Sequence, residues 1–234
     1  DKKERRRNPS PPFITSTLQQ EAFRRLRFLA AKTMRLAQRL YEGLEIGQEG
    51  SIGLITYMRT DSTRISQEAL EQARRYILES YGEEYIPDKP NIYKSKKRSQ
   101  DAHEAIRPTS AFRHPDHVRN YLQQDEYQLY RLIWERFVAC QMASAIYDTT
   151  VAEIKADRYT FRATGSLIKF KGFTILYQEE NVTSSNGKNS KEIDEKTDDA
   201  DDIILPQLQV KQVLTLIKLV PQQHFTHPPP RNTE

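Results

Sequence analysis

The periodicity of apolar residues changes once along this 234-residue chain, close to Ala145, and that change limits the fold more than any other feature. Before it, apolar residues recur at intervals of three and four, the spacing that lines one face of an α-helix. Leu18, Ala22, Leu26 and Leu29 carry the first such pattern, and Thr15 to Thr17 with Gln19 and Gln20 offer a capping box at its start. A second helix is expected over 33–42, stopped by Gly43. A third begins at Ser66, where Ile65 and Leu70 stand at hydrophobic-staple spacing, and ends at Gly82. A last long helix is expected over 125–142, with Leu129, Leu132, Ile133 and Phe137 inward, and His114 to His117 read as a short helix start.

After Ala145 the pattern becomes β-branched and aromatic. Strands are expected over 148–156, 159–164, 167–170, 173–177 and 213–219, with Gly165 and Gly172 as punctuation. The fold class is therefore expected to be α+β, with a helical domain over 12–143 and a mainly β segment over 144–234. Residues 1–11, DKKERRRNPSP, lack periodicity and end in prolines, so they read as a basic tail or linker. Residues 180–202 form a polar, strongly acidic stretch that reads as a solvated loop. Asp199 and Asp201 have an Asp-x-Asp spacing there, but no apolar strand leads into it, so no metal is assigned to this chain.

Charge divides at the same place as periodicity. Residues 1–143 carry 25 Lys and Arg against 19 Asp and Glu, while 144–234 carry 11 against 13. A basic half suits a polyphosphate partner, because neutralising phosphates releases counterions; on charge alone an ordinary solvated surface fits equally. A charged content of 29% marks a polar chain. No apolar run approaches the ~20 residues of a membrane span, and the charged start is no signal peptide. The single Cys140 excludes an internal disulfide framework and, among Phe137, Val138 and Met142, reads as a buried helix residue in a reducing compartment, the cytoplasm.

The segment with chemistry is 53–66, GLITYMRTDSTRIS. An apolar run, 52–55, delivers Tyr57 and Arg59 into a polar turn started by Thr60, Asp61 and Ser62. A free phenol ionises near pH 10 and is a poor nucleophile at neutral pH unless a cation stabilises its phenolate and grips the anion under attack. Arg59, two residues on, is placed to do both. On residue type alone, a tyrosine at the end of a strand is most simply half-buried with its hydroxyl bonded locally. The second candidate is His103 in AHEAIRP, a segment too polar for core. Arg107 lies four residues on, which in a helix would put both on one face toward one phosphate. His114 with His117, and His224 with His227, lie in disparate segments and make a poor metal site.

The word ITYMRTDS resembles the active-site word of the type IA DNA topoisomerases, in their bacterial topoisomerase I branch. Five further words fall in that family's order: 12–20 (PFITSTLQQ), 37–42 (AQRLYE), 102–108 (AHEAIRP), 132–142 (LIWERFVACQM) and 223–229 (QHFTHPP). The resemblance covers roughly residues 9 to 231. It implies an ATP-independent enzyme acting on DNA, in which Tyr57 attacks a phosphodiester of a single strand and leaves a 5′-phosphotyrosyl link while another strand passes. It implies catalytic roles for Tyr57, Arg59 and His103, and DNA contacts for Gln38, Glu42, Thr60, Asp61 and Arg107. By residue type, Gln38 and Glu42 fit an exposed helix face equally, and Thr60 and Asp61 a capped turn.

Two departures accompany the match. The connection GLEIGQEGSIGL between Glu42 and Ile55 is longer than in some relatives and suggests a flexible excursion. The acidic cluster that holds magnesium in the family's N-terminal α/β domain has no counterpart here. The chain therefore reads as a central fragment, a helical tyrosine-bearing domain followed by part of a β arch, with magnesium and the missing domain belonging to the full-length enzyme. A non-catalytic single-stranded DNA-binding arch segment, inert without that domain, is the rival. A tyrosine recombinase would place its tyrosine last, whereas Tyr57 precedes His103 and Arg107.

Overall fold

The computed structural model describes residues 1–93, 103–178, 205–221 and 223. The fold is α+β and divides into two compact units. The larger comprises Glu4–Asp148 and Ile168–Glu180; the smaller comprises Asp1–Lys3, Thr149–Leu167 and the described parts of Asn181–Glu234.

The larger unit is built on helices α1 (Thr15–Leu26), α2 (Ala30–Glu42), α3 (Gln67–Tyr81), the short α4 (Pro115–Val118) and α5 (Gln124–Cys140). Helix α5 is its axle. Tyr127, Leu129, Tyr130, Leu132, Ile133, Trp134, Phe137 and Val138 are all buried, and so are Glu126, Glu135 and Arg136, so this helix is enclosed over most of its circumference. Leu18 and Ala22 of α1, Leu36, Ala37 and Leu40 of α2, and Ala73 and Ile77 of α3 share its core. Two polar groups that enter this core are bonded: Trp134 Nε1 donates to Ala111 O at 2.9 Å and Tyr130 Oη to Arg113 O at 2.7 Å. Cys140, the last residue of α5, is wholly buried, and burial pushes its thiol up to about 12.

The helix boundaries follow local signals. Ser66 caps α3 by accepting from Ala69 N, and Gly82 closes it at φ 98°. Glu126 accepts from Gln123 N at 2.9 Å to cap α5, and its other oxygen pairs with Arg39 at 2.9 Å, which ties α2 to α5. At the start of α1 the capping oxygen is that of Thr17, which accepts from Ile14 N at 3.0 Å.

Strands β1 (Lys2–Arg7), β4 (Ala145–Ala156) and β5 (Tyr159–Phe170) form one sheet in the order β1-β4-β5. The basic start of the chain is thus a strand, not a featureless tail. Its run of charges suits an edge strand, where side chains face water, and masks the pattern that would have revealed it. The two runs expected over 159–164 and 167–170 are one strand through Gly165.

Two other β expectations fail. Residues 173–177 do not extend; Gly172–Ile175 is a 3-10 turn that buries Phe173 and Tyr177, four residues apart, in the core of the larger unit. Gly172 makes the turn possible: its φ is 49°, and a Cβ there would stand 2.5 Å from the carbonyls of Ala143 and Ser144. Residues 213–219 form no strand, and Val213, Leu216 and Ile217 are exposed. A strand needs a ladder partner, and none pairs with it among the described residues. The acidic stretch 180–202, with Asp199 and Asp201, and His224 and His227 lie outside the described residues.

The connection between α2 and the tyrosine is ordered rather than an excursion. Strands β2 (Leu44–Glu45) and β3 (Ser51–Ile52) pair antiparallel, Leu44 opposite Ile52 and Glu45 opposite Ser51. Ile46 is buried between them, and Glu49 pairs with Arg113 at 2.9 Å.

Candidate active site

Tyr57 sits where three segments of the larger unit meet. Leu54, Ile55 and Met58 are buried, so the chain is anchored on both sides of the tyrosine, while Tyr57 itself is 41% exposed. Leu54 N donates to Leu40 O at 2.7 Å, fastening the segment to the end of α2. That approach requires Gly53, because a Cβ there would lie 2.6 Å from Tyr41 O. On the other flank, Thr56 N donates to Arg107 O at 2.9 Å and Thr109 N to Leu54 O at 2.9 Å, and Ile55 bridges Pro108.

These bonds decide how His103 and Arg107 are presented. Residues 103–108 are extended, because Ile106 also bridges Phe13 and Ala105 N donates to Arg64 O at 2.8 Å. The helical spacing expected for His103 and Arg107 is therefore not realised: the backbone groups that a helix would use are bonded to neighbouring segments. His103 stands beside Tyr57, ring centroids 6.1 Å apart. Arg107 is engaged elsewhere. Its guanidinium forks onto Glu104 Oε2 at 2.9 and 2.6 Å and donates to Pro108 O at 3.0 Å. An arginine so occupied holds the loop that carries His103, a part that sequence spacing gave no reason to expect.

Sequence reasoning also missed Tyr41. Its ring meets that of Tyr57 edge-on, centroids 5.4 Å apart at 65°, so the tyrosine is in ring contact with both Tyr41 and His103. Tyr41 comes from the end of α2, the helix that also presents Gln38 and Glu42; Gln38 Nε2 donates to Glu42 Oε1. Tyr41 was legible only as part of AQRLYE, with nothing in its spacing to place it against Tyr57.

Arg59 is exposed, and no hydrogen bond or ion pair engages its guanidinium among the described residues. Thr60 and Asp61 differ in placement. Asp61 is exposed, whereas Thr60 is 7% exposed and its hydroxyl accepts from Ser62 N at 3.0 Å, so its side chain holds the turn. Among the described residues no group of three or more His, Cys, Asp or Glu is placed to hold a metal ion, so the donor set a magnesium site requires is not found there.

An exposed phenol, a guanidinium two residues on that no described residue engages and an imidazole beside the phenol ring are thus carried on one hydrogen-bonded scaffold. The family model described as DNA topoisomerase matches residues 1–234, and the chain belongs to that family. Among its relatives are the DNA topoisomerase 1 of two Xylella fastidiosa strains, Temecula1 and 9a5c. Each is 49% identical over 234 residues, 99% of this chain and 28% of the relative. Among solved structures, the full-length topoisomerase I of Thermotoga maritima in a monoclinic crystal form is similar with a TM-score of 0.68. That match has 41% identity over 82% of this chain and 31% of the Thermotoga chain. The chain thus spans 28% of the length of the curated relatives it matches.

Proposed function

We propose that this chain is the tyrosine-bearing part of an ATP-independent type IA DNA topoisomerase, with the helical domain over 12–143 and a β arch segment over 144–234. The observation that carries the reading is the exposed Tyr57 in ring contact with Tyr41 and His103, with Arg59 two residues on exposed and unengaged among the described residues.

In the proposed reaction Tyr57 Oη attacks the phosphorus of a phosphodiester in single-stranded DNA. The new bond is a 5′-phosphotyrosyl ester; the bond broken is to the 3′ oxygen, which leaves as a hydroxyl, the phenolic proton being passed on. One ester replaces another, so the bond energy is kept and religation is the same step reversed. Charge that grows on the phosphoryl and leaving oxygens falls to the Arg59 guanidinium, which acts by electrostatic stabilisation. His103 assists at the same phosphate. Gln38, Glu42, Asp61, Thr60 and Arg107 contact or shape the path of the strand around it. The magnesium that belongs to this chemistry is assigned to residues outside this chain, and no step above passes through it. The protein acts in the cytoplasm.

The test is covalent-adduct formation on a labelled single-stranded oligonucleotide by the whole protein that contains this chain. Tyr57→Phe is expected to abolish the adduct while leaving single-strand binding within a few-fold. An adduct that survives, or that maps to Tyr41 or Tyr76, sinks the assignment. The 234-residue chain alone is expected to bind single strands without relaxing supercoiled plasmid; efficient relaxation by it alone would show that the chemistry is divided differently.

A further inference from the structure

We propose that Thr15 is a positioning residue for strand cleavage: it clamps the backbone on both sides of Arg59 and thereby sets where that guanidinium and the Tyr57 phenol point. The inference rests on the reading of Tyr57 and Arg59 above. It comes from a contact between residues 45 positions apart, the first residue of α1 and the turn that follows the tyrosine.

The hydroxyl proton of Thr15 lies between two acceptors, Met58 O at 2.7 Å and Thr60 O at 3.1 Å. The same oxygen accepts from Thr60 N at 2.9 Å, and Thr15 N donates to Thr60 O at 2.9 Å. One residue therefore holds the carbonyl before Arg59 and both backbone polar groups after it. Met58 and Thr60 point their side chains inward, 0% and 7% exposed, which turns Arg59 between them outward. With no partner for the Arg59 guanidinium among the described residues, the backbone sets the direction in which its side chain leaves the turn.

Tyr57 is bracketed by a second clamp. Thr56 Oγ1 donates to Ala105 O at 2.7 Å and accepts from Arg107 N at 3.0 Å. The phenol thus sits between a threonine tied to the His103 loop and a methionine carbonyl tied to α1. A helix-capping duty does not explain Thr15, because Thr17 caps Ile14 N and the Thr15 hydroxyl is spent on the turn. Misplacement of a reacting group by about 1 Å can cost on the order of a hundredfold in rate, so a clamp at this point has leverage on chemistry rather than on binding.

The experiment measures cleavage rate and oligonucleotide affinity in the whole protein containing this chain, after the adduct has been mapped to Tyr57. An adduct elsewhere would overturn the functional reading, whereas the outcomes below bear on Thr15 alone. Thr15→Val, which keeps shape and loses the hydroxyl, is expected to slow cleavage on the order of 10- to 100-fold with affinity within a few-fold, and Thr15→Ser to restore most of the rate. The Arg59→Ala change is expected to cost less in the Thr15→Val background than in the wild type, because both act through one group. Wild-type cleavage by Thr15→Val, failure of serine to rescue, or strictly additive losses with Arg59→Ala each overturn the clamp. If Thr15→Val does not fold, Thr15→Cys is read on the same scale: its weak donor should give an intermediate rate, and an unchanged rate overturns the proposal.

Discussion

Among the described residues, Arg59 is held through its backbone and not through its side chain. Its guanidinium is exposed at a turn whose neighbouring side chains, Met58 and Thr60, are buried, so under the proposed reaction a phosphate at Tyr57 would meet a cation that no described residue pairs with. Arg107 is the opposite case, forked onto Glu104 within the protein. The two arginines should therefore respond differently to substitution. Arg59→Ala is expected to cost about 2 to 4 kcal/mol of transition-state stabilisation, the range for losing one preorganised donor. Arg59→Lys should recover only part of this, because the planar fork is lost. Cleavage at the wild-type rate by Arg59→Ala would remove it from the mechanism.

At the scale of elements, α4 is a four-residue helix that depends on its cap. His114 Nδ1 accepts from Asp116 N at 3.2 Å, and the ring packs edge-on against Trp134, centroids 4.7 Å apart. Burial lowers the pKa of His114; Asp116 and Glu135 oppose that shift, while His117 and Arg131 add to it. A histidine whose folded pKa lies below its unfolded one binds fewer protons folded than unfolded within that window. Its contribution to stability is thus present above the unfolded value of about 6.5 and is lost as pH falls through the folded value. Thermal unfolding of the chain between about pH 8 and pH 5 should show a fall in midpoint below about 6.5. The fall should be shallower in His114→Asn, which keeps a cap and cannot titrate. Equal slopes in the two proteins would free the cap of this role.

For the molecule as a whole, the unit that carries Tyr57 exposes a set of arginines. Arg24, Arg27, Arg35, Arg39, Arg59 and Arg64 are all exposed there. Affinity for a single-stranded oligonucleotide, read by fluorescence anisotropy, should therefore fall linearly on a log-log plot against salt. Each phosphate contact should add about 0.7 to the slope. Binding that ignores salt would show that this surface is merely solvated.

The long helices of this protein are written in its sequence, because apolar spacing and capping signals at Ser66, Gly82 and Gly43 act within a few residues of one another. The word ITYMRTDS, which carries the resemblance to the family, is equally legible, since its residues are consecutive. Segments whose state depends on a partner were not. Lys2–Arg7 is a strand because β4 lies beside it, 213–219 finds no ladder among the described residues, and 173–177 turned because Phe173 and Tyr177 share one buried face. The site divides in the same way. Sequence supplied Tyr57, Arg59 and His103; only the tertiary structure brought Tyr41 against the tyrosine, gave Arg107 to Glu104 and set Thr15 across the turn. Periodicity is a local property, whereas a hydrogen bond between residues 45 apart exists only once the chain has closed on itself.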